Sequence, residues 1–242
     1  MNTKAFAALT ALSIFTLPAL ASAQEKSSKV DPNAAEHEKF AAKSAIELGL
    51  RLGYGIPMGT LTSTDLGPFG KIDIKQSDVF KGQIPIWLDV GYRINPNIYV
   101  GGYLSYGIGM LNKDYTKGAC DQPGVSCSAS LINLGVMGAY HLMPDQSFDP
   151  WVGVGVGYEI AKFKESSGST EGGGSYSGLT FLNLQAGGDY KVDPAFGIGP
   201  FISLAIGQYG SCSLDSGKDC KLDQKTLHEW FTIGAKGTYD LY

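Results

Sequence analysis

Apolar residues alternate with polar residues or glycine in eight separate stretches of the chain. In residues 46–58 every even position is apolar, whereas the odd positions include Glu47, Gly49 and Arg51. Side chains of a β-strand point alternately to opposite faces of the sheet, so each stretch would present one apolar and one polar or small face. The pattern predicts eight strands, at residues 46–58, 82–94, 98–108, 130–142, 151–161, 179–192, 196–207 and 227–242.

Tyrosines mark both ends of these strands in two interleaved series. The first series is Tyr54, Tyr106 and Tyr158, spaced 52 residues apart and loosely continued by Tyr209; the second is Tyr92, Tyr140, Tyr190 and Tyr239. Aromatic rings at both interfaces, bounding alternating strands of about ten residues, are typical of a transmembrane β-barrel. The seven tyrosines are therefore predicted to form an aromatic girdle at each membrane face.

The connections between the strands alternate in length. Short connections are predicted at 95–97, 143–149 and 193–195, and long ones at 59–81, 109–129, 162–178 and 208–226. Bacterial barrels have short periplasmic turns and longer extracellular loops. The fold class is therefore predicted as all-β: an eight-stranded antiparallel up-and-down transmembrane β-barrel with both termini in the periplasm.

Three regions precede or form this barrel. Residues 1–23 have a basic start, an apolar core and Ala21-Ser22-Ala23 as a cleavage site, which predicts a signal peptide. Residues 24–43 are a polar periplasmic segment in which Asp31-Pro32 favours a short helix after it. Residues 44–242 form the barrel. The formal charge of −4 is too small to suggest a nucleic-acid partner.

The second face of the strands carries many glycines and isolated charges, as a confined lumen would. A soluble eight-stranded barrel with its apolar face inside is the alternative. The lumen charges are predicted to form a salt-bridged network, with Arg51 and Asp89 at one height and His141 near the periplasmic end. The predicted network comprises Glu47, Arg51, Asp89, Arg93, Glu159, Asp189, Lys191, Lys236 and Asp240. It would act as a plug or, alternatively, as a gate.

Four cysteines lie in two close pairs, Cys120 with Cys127 and Cys212 with Cys220. A signal peptide implies an oxidising compartment, so disulfides are expected, and the spacing favours pairing within each loop. Neither loop contains a histidine, which argues against a zinc site; no metal and no cofactor is predicted.

No catalytic residue is assigned. An acyl hydrolase needs a nucleophile, a base and an orienting group within hydrogen-bond reach. His228, beside Glu229 at the outer rim, is the only suspect position, and a solvated rim histidine is the expected role.

In architecture, residues 44–242 resemble the small eight-stranded outer-membrane barrels of Gram-negative bacteria, the OmpA transmembrane-domain, OmpX and opacity-like group. The resemblance implies a location in the cell outer membrane, contact with its lipid, and insertion by the barrel-assembly machinery. That machinery usually reads an aromatic final residue in an alternating last strand. Here Tyr239 and Leu241 have the lipid-facing parity, but the terminal Tyr242 does not.

Three functions remain open at this point. The first is a non-enzymatic structural or surface-interaction barrel whose lumen is largely plugged and whose loops contact an extracellular ligand. The second is a narrow channel for small solutes. The third is an enzyme that modifies lipid of the outer leaflet.

Overall fold

A computed structural model describes residues 39–40, 44–65, 70–114, 120, 122–168, 170–215 and 225–242. The predicted signal peptide and nearly all of the segment at residues 24–43 lie outside these ranges. The strands are β1 (Ala45–Asp65), β2 (Lys71–Lys75), β3 (Phe80–Asn95), β4 (Ile98–Leu111), β5 (Val125–His141), β6 (Phe148–Ser167), β7 (Thr170–Lys191), β8 (Phe196–Leu214) and β9 (Leu227–Leu241). A single turn of helix, α1 (Gln76–Val79), connects β2 to β3.

The eight long strands form a closed antiparallel barrel. Each pairs with the next along the chain, and β9 pairs back with β1 over a continuous register from Ile46↔Leu241 to Gly59↔His228. Closure pairs the backbone groups of every barrel strand, which is the condition for crossing hydrocarbon with β-structure. The predicted up-and-down barrel is therefore confirmed, with one strand for each alternating stretch.

The barrel carries its apolar side chains on the outside. Val90 and Leu134, for example, are 58% and 61% exposed. A soluble monomer rarely exposes a contiguous apolar patch of more than a few hundred Å², whereas a membrane barrel has an outward apolar band about 25 Å tall. The soluble alternative, with the apolar face inside, is wrong.

All seven predicted girdle tyrosines point outward and are exposed. They are Tyr54, Tyr106 and Tyr158 at one end of the barrel and Tyr92, Tyr140, Tyr190 and Tyr239 at the other. The second group lies at the turn end, which carries the short connections and the barrel's terminal strand ends; the opposite end is called the loop end. Tyr209, the loose member of the first series, is instead buried inside the barrel.

In two of the three short connections at the turn end, a side-chain oxygen accepts hydrogen bonds from backbone N–H groups of the turn. In the β3–β4 turn the Asn95 carboxamide oxygen accepts hydrogen bonds from the backbone N–H groups of Asn97 and Ile98, each at 2.9 Å. In the β7–β8 turn Asp193 does the same for Ala195 and Phe196, each at 2.8 Å. Side chains that bond the backbone two or three residues on favour tight turns.

The loop end departs from the sequence prediction, because much of the predicted loop is strand. β6 runs to Ser167 and β7 begins at Thr170, so the predicted loop of residues 162–178 is a tight hairpin. The predicted loop of residues 59–81 contains β2, which pairs with the outer part of β1, and helix α1. Within the described part of the chain, no helix combines the length and apolarity needed to cross a membrane.

Candidate functional site

Arg51 occupies the middle of the barrel interior and is 1% exposed. Its guanidinium donates to Asp89 Oδ2 from Nε at 2.6 Å and to Gln185 Oε1 from Nη1 at 2.6 Å, and Nη2 lies 3.3 Å from Met137 Sδ. These partners stand on β3, β7 and β5, whereas Arg51 is on β1. One side chain thus connects the wall at β1 with strands on the opposite side of the lumen.

Aromatic rings enclose this guanidinium. Its Cζ lies 5.3 Å from the ring centre of Trp87, 5.4 Å from Phe201 and 5.5 Å from Trp151. Tyr103 stacks on Trp87 at 5.5 Å. A cation over aromatic faces is stabilised by the ring quadrupole, by about 2 kcal/mol or more when it is desolvated. Arg51 and the rings of Trp87, Trp151 and Phe201 are called the middle layer, in which a desolvated cation lies between aromatic rings.

Inward-facing glycines make room for these rings. A Cβ on Gly187 would lie 2.5 Å from Trp151 Cζ2, and a Cβ on Gly135 would lie 2.5 Å from Tyr103 Cζ. A Cβ on Gly91 would meet Tyr99 Cζ at the same distance. The glycines are the surface on which the aromatic rings lie.

A second group, the turn-end cluster, links acids and bases below Arg51. Arg93 Nη2 lies 2.5 Å from Glu47 Oε2, and Lys236 Nζ lies 3.3 Å from Glu47 Oε1. Lys236 Nζ also lies 3.7 Å from Asp189 Oδ2 and 4.6 Å from the ring centre of Trp151. Glu47 therefore joins two cations from opposite neighbours, since Arg93 is on β3 and Lys236 on β9.

The turn-end cluster continues to β6. His141 Nδ1 lies 2.8 Å from Asp149 Oδ2, and Arg93 Nη1 lies 3.8 Å from the same oxygen. Trp151 Nε1 donates to Asp189 Oδ1 at 3.2 Å. Lys191 contacts backbone carbonyls, those of Pro144 and Phe40, at the mouth of this cluster.

A third group, the loop-end cluster, contains Glu159, Tyr209 and His228. His228 Nε2 lies 3.3 Å from Glu159 Oε1, the Tyr209 hydroxyl donates to the same oxygen, and the His228 ring stacks on Tyr209 at 4.0 Å. All three side chains are buried. The expectation of a solvated rim histidine is wrong: His228 points into the barrel against Glu159 and Tyr209, and Tyr209 lies on the part of β8 beyond its predicted end at residue 207.

Apolar side chains lie against the loop-end cluster on its outer side. Phe80 packs against Trp230 at 5.6 Å and against Phe163 at 5.3 Å between ring centres. Helix α1 contributes Val79 and the buried Gln76. With its amide oriented to satisfy its neighbours, Gln76 donates to the carbonyls of Met58 and Glu229 and accepts from Trp230 Nε1. The β2–α1 segment is thereby tied to β1 and β9.

Cys120 and Cys127 form a disulfide at the loop end. Cys212 is also disulfide-bonded, whereas Cys220, its predicted partner, lies outside the described residues. No group of three or more metal-ligating side chains occurs among the residues described.

The structure places the predicted charge network in the interior, as separate groups. Arg51 and Asp89 pair in the middle, Glu159 belongs to the loop-end cluster, and the others lie at the turn end. Asp240 borders the turn-end mouth, where the Tyr242 hydroxyl lies 3.5 Å away. Every buried carboxylate of the described chain, on Glu47, Asp89, Asp149, Glu159 and Asp189, has a basic side chain within 4.0 Å.

Sequence reasoning missed Asp149, Gln185 and the aromatic layer. Trp87 and Phe201 share the parity of the inward glycines, and this parity was the available signal. Asp149 was placed in a predicted turn, yet it is the second residue of β6.

Comparisons with known proteins find similar structures only. Neither a known protein family nor a curated protein matches the sequence. Neisserial surface protein A is 11% identical, with 83% of this chain and 100% of that chain covered and a TM-score of 0.48. OprG, an outer membrane protein of Pseudomonas aeruginosa, is 15% identical, with 82% and 98% covered and a TM-score of 0.46. Ail, the attachment invasion locus protein of Yersinia pestis, is 16% identical, with 81% and 99% covered and a TM-score of 0.39. The assignment to the membrane barrels rests on this chain's own strand pairing and outward apolar belt.

Proposed function

We propose that the protein is an integral outer-membrane barrel of a Gram-negative bacterium with a structural or surface-interaction role and a lumen closed to solutes. The observation that carries closure is the reach of Arg51 from β1 to Asp89, Met137 and Gln185 on three other strands. An eight-stranded barrel has an interior just wide enough for side chains to fill. A guanidinium spanning that interior, enclosed by three aromatic rings, leaves little space for a solute.

Opening such a plug would be unfavourable. Separating Arg51 from Asp89 would leave two buried charges without partners, and breaking one buried pair costs about 3–5 kcal/mol. The turn-end cluster forms a second barrier of the same kind, in which Glu47 is shared by Arg93 and Lys236. Two independent charged layers support a plug over a gate.

The outward apolar belt and the predicted signal peptide support the proposed location. The exposed apolar side chains around the barrel require lipid to cover them. Export followed by barrel insertion is the route by which such chains reach an outer membrane. Insertion by the barrel-assembly machinery would involve β9, whose outward residues Ile233, Tyr239 and Leu241 are exposed on the lipid side. In this orientation the turn end faces the periplasm and the loop end faces the exterior.

The proposed surface-interaction role rests on the strand extensions, which are the parts of the strands that continue past the loop-end girdle tyrosines. β6 and β7 continue well past the girdle residue Tyr158, and a disulfide joins Cys120 to the start of β5. Binding residues are commonly found on segments that a rigid scaffold holds in place. The extensions are therefore the proposed contact surface for an extracellular ligand.

The chain is proposed to be a non-enzyme. His228, the one candidate base, is buried and engaged with Glu159 and Tyr209. An outer-leaflet lipid would have to displace these contacts to reach the imidazole. Mass analysis of lipid A from cells with and without the protein is expected to show identical species; a modified species that disappears in His228→Ala would contradict this.

Liposome swelling tests closure to small solutes. Vesicles containing the purified protein are expected to swell no faster than empty vesicles in arabinose or glycine. Vesicles containing a triple variant, Arg51→Ala with Trp87→Ala and Phe201→Ala, are also expected to swell no faster, because the turn-end and loop-end clusters remain in the lumen. Rapid swelling with the unaltered protein would overturn the proposed plug and favour the narrow channel.

A further inference from the structure

An apolar vestibule opens at the loop end, above the cluster that contains Phe80 and Trp230. It has a volume of about 440 Å³ and lies between the loop-end parts of β1, β4, β5, β6, β7 and β8. Its apolar lining comprises Leu61, Val79, Leu111, Phe163, Tyr176 and Leu214. Sulfur atoms border it as well, from the Cys120–Cys127 disulfide and from Cys212.

The β7 backbone beside the vestibule carries no side chains over three consecutive residues. Gly172, Gly173 and Gly174 follow one another along β7, and all three line the vestibule. A Cβ on Gly172 would meet no atom within 4 Å. The free volume therefore reaches the β7 backbone at Gly172, whereas a Cβ on Gly174 would lie 2.9 Å from the Ser213 carbonyl oxygen.

The lining favours a neutral ligand. Its described members include one cation, Lys164, and one anion, Glu165, and both are exposed at the rim. Inside the rim the rings of Phe163 and Tyr176 meet edge to face, 6.0 Å apart and at 89°. Apolar pockets with aromatic walls bind ligands chiefly by removing apolar surface from water.

The dimensions favour a small molecule over a protein segment. An α-helix with its side chains is about 10–12 Å across, whereas the interior of an eight-stranded barrel is only wide enough for side chains. Pockets for small organic ligands have volumes of about 300–1,000 Å³. The vestibule falls in the lower part of that range.

We propose that this vestibule binds a small neutral apolar molecule with one or two rings. The inference rests on the proposed exterior position of the loop end, and it names the class of ligand that this surface takes. It does not require the lumen to be closed. Binding is confined to the extensions beyond the membrane belt and stops at the layer formed by Val79 and Phe80.

Photolabelling of the purified protein in lipid nanodiscs tests the proposal. The probe is naphthalene carrying a diazirine, and mass spectrometry locates the label. The lipid-facing belt will also be labelled, so label on the β6–β7 extension is expressed relative to label on the belt. We expect label on the extension to fall when unlabelled naphthalene competes, and to persist when the charged naphthalene sulfonate is added instead.

Two glycine variants separate the vestibule from the surface around it. Gly172→Trp fills the vestibule and should lower labelling of the extension at least about tenfold, equivalent to 1.4 kcal/mol of binding free energy. Gly210→Trp is the matched control: a Cβ there also meets nothing within 4 Å, and Gly210 does not line the vestibule. Its labelling should equal that of the unaltered protein.

Heat-modifiable gel migration checks that each variant is folded. If Gly172→Trp does not fold, Tyr176→Ser provides the same comparison by removing one aromatic wall. Equal labelling of the extension in the unaltered protein and the folded vestibule variant would overturn the proposal, and so would competition by the sulfonate as strong as that by naphthalene. Either result would leave the closed barrel unaffected, because liposome swelling tests that separately.

Discussion

Arg51 and the glycines around the aromatic layer show how single residues determine the barrel interior. Arg51 has its charge matched by Asp89 and its planar face covered by Trp87 and Trp151. Gly187 supplies the flat backbone against which Trp151 lies. Arg51 and Gly187 each fit the space that their neighbours leave, so a small change in either side chain should lower the stability of the protein.

Replacing Arg51 by methionine should strongly destabilise the protein. The substitution leaves Asp89 buried without a cation, so we expect the free energy of unfolding to fall by about 3–5 kcal/mol. Urea unfolding in lipid vesicles, followed by gel migration, measures this. The double variant Arg51→Met with Asp89→Leu should recover much of the loss, since no charge is left unpaired. A double variant as unstable as the single one would show that the pairing of these two charges is not what matters.

Replacing Gly187 by alanine should also destabilise the protein. The added Cβ would lie 2.5 Å from Trp151 Cζ2, and overpacking of this kind costs about 1–3 kcal/mol. Gly138→Ala is the control, because its Cβ would lie 3.7 Å from the Tyr99 carbonyl oxygen, an ordinary contact. The same urea measurement should show a change of less than about 0.5 kcal/mol for the control. Equal effects at both positions would indicate a general cost of losing glycine from these strands.

At the scale of elements, the strands divide into a part in the membrane and a part beyond it. In the membrane, lipid demands an apolar outward face, so alternation was strong enough to predict all eight strands and seven outward tyrosines. Beyond the girdle the outward face meets water, and residues 170–178 of β7 are mostly glycine, serine and threonine. Backbone pairing continues there, but the side-chain pattern that would reveal it is gone.

The interior was predictable in part for a related reason. Charges such as Glu47 and Lys236 could be placed by counting from the turns, because the register is regular there. Which polar side chains contact each other depends on how far each extends across the lumen, as Arg51 extends to Gln185. The alternation of residues along a strand does not indicate that distance. His228 was expected to be solvated because the continuation of β8 past residue 207, which carries Tyr209, was not predicted.

The Cys120–Cys127 disulfide should stabilise the loop-end extension and leave the barrel unchanged. Its cysteines are 7 residues apart, and closing so short a loop is worth about 2–3 kcal/mol in a chain-entropy estimate. In the variant with both cysteines replaced by serine, trypsin should cleave near Lys113 or Lys164 faster than in the unaltered protein. Cleavage within the belt, or loss of heat-modifiable migration, would mean that the disulfide supports the whole barrel.

At the scale of the molecule, the protein is apolar outside and charged and aromatic within. Most soluble proteins bury apolar side chains and hydrate their charges, but here lipid covers the apolar belt. The charges are enclosed in pairs and covered by rings. Three layers in series, the turn-end cluster, the middle layer and the loop-end cluster, occupy the interior.

Single-molecule conductance in a planar lipid bilayer tests the closed interior most directly. The unaltered protein, inserted in 1 M salt, is expected to produce no steady open-channel current, because Arg51 and its aromatic neighbours occupy the lumen. The triple variant Arg51→Ala, Trp87→Ala and Phe201→Ala is expected to remain closed as well, because the turn-end and loop-end clusters still occupy the lumen. A steady open-channel current through the unaltered protein would contradict the closed interior.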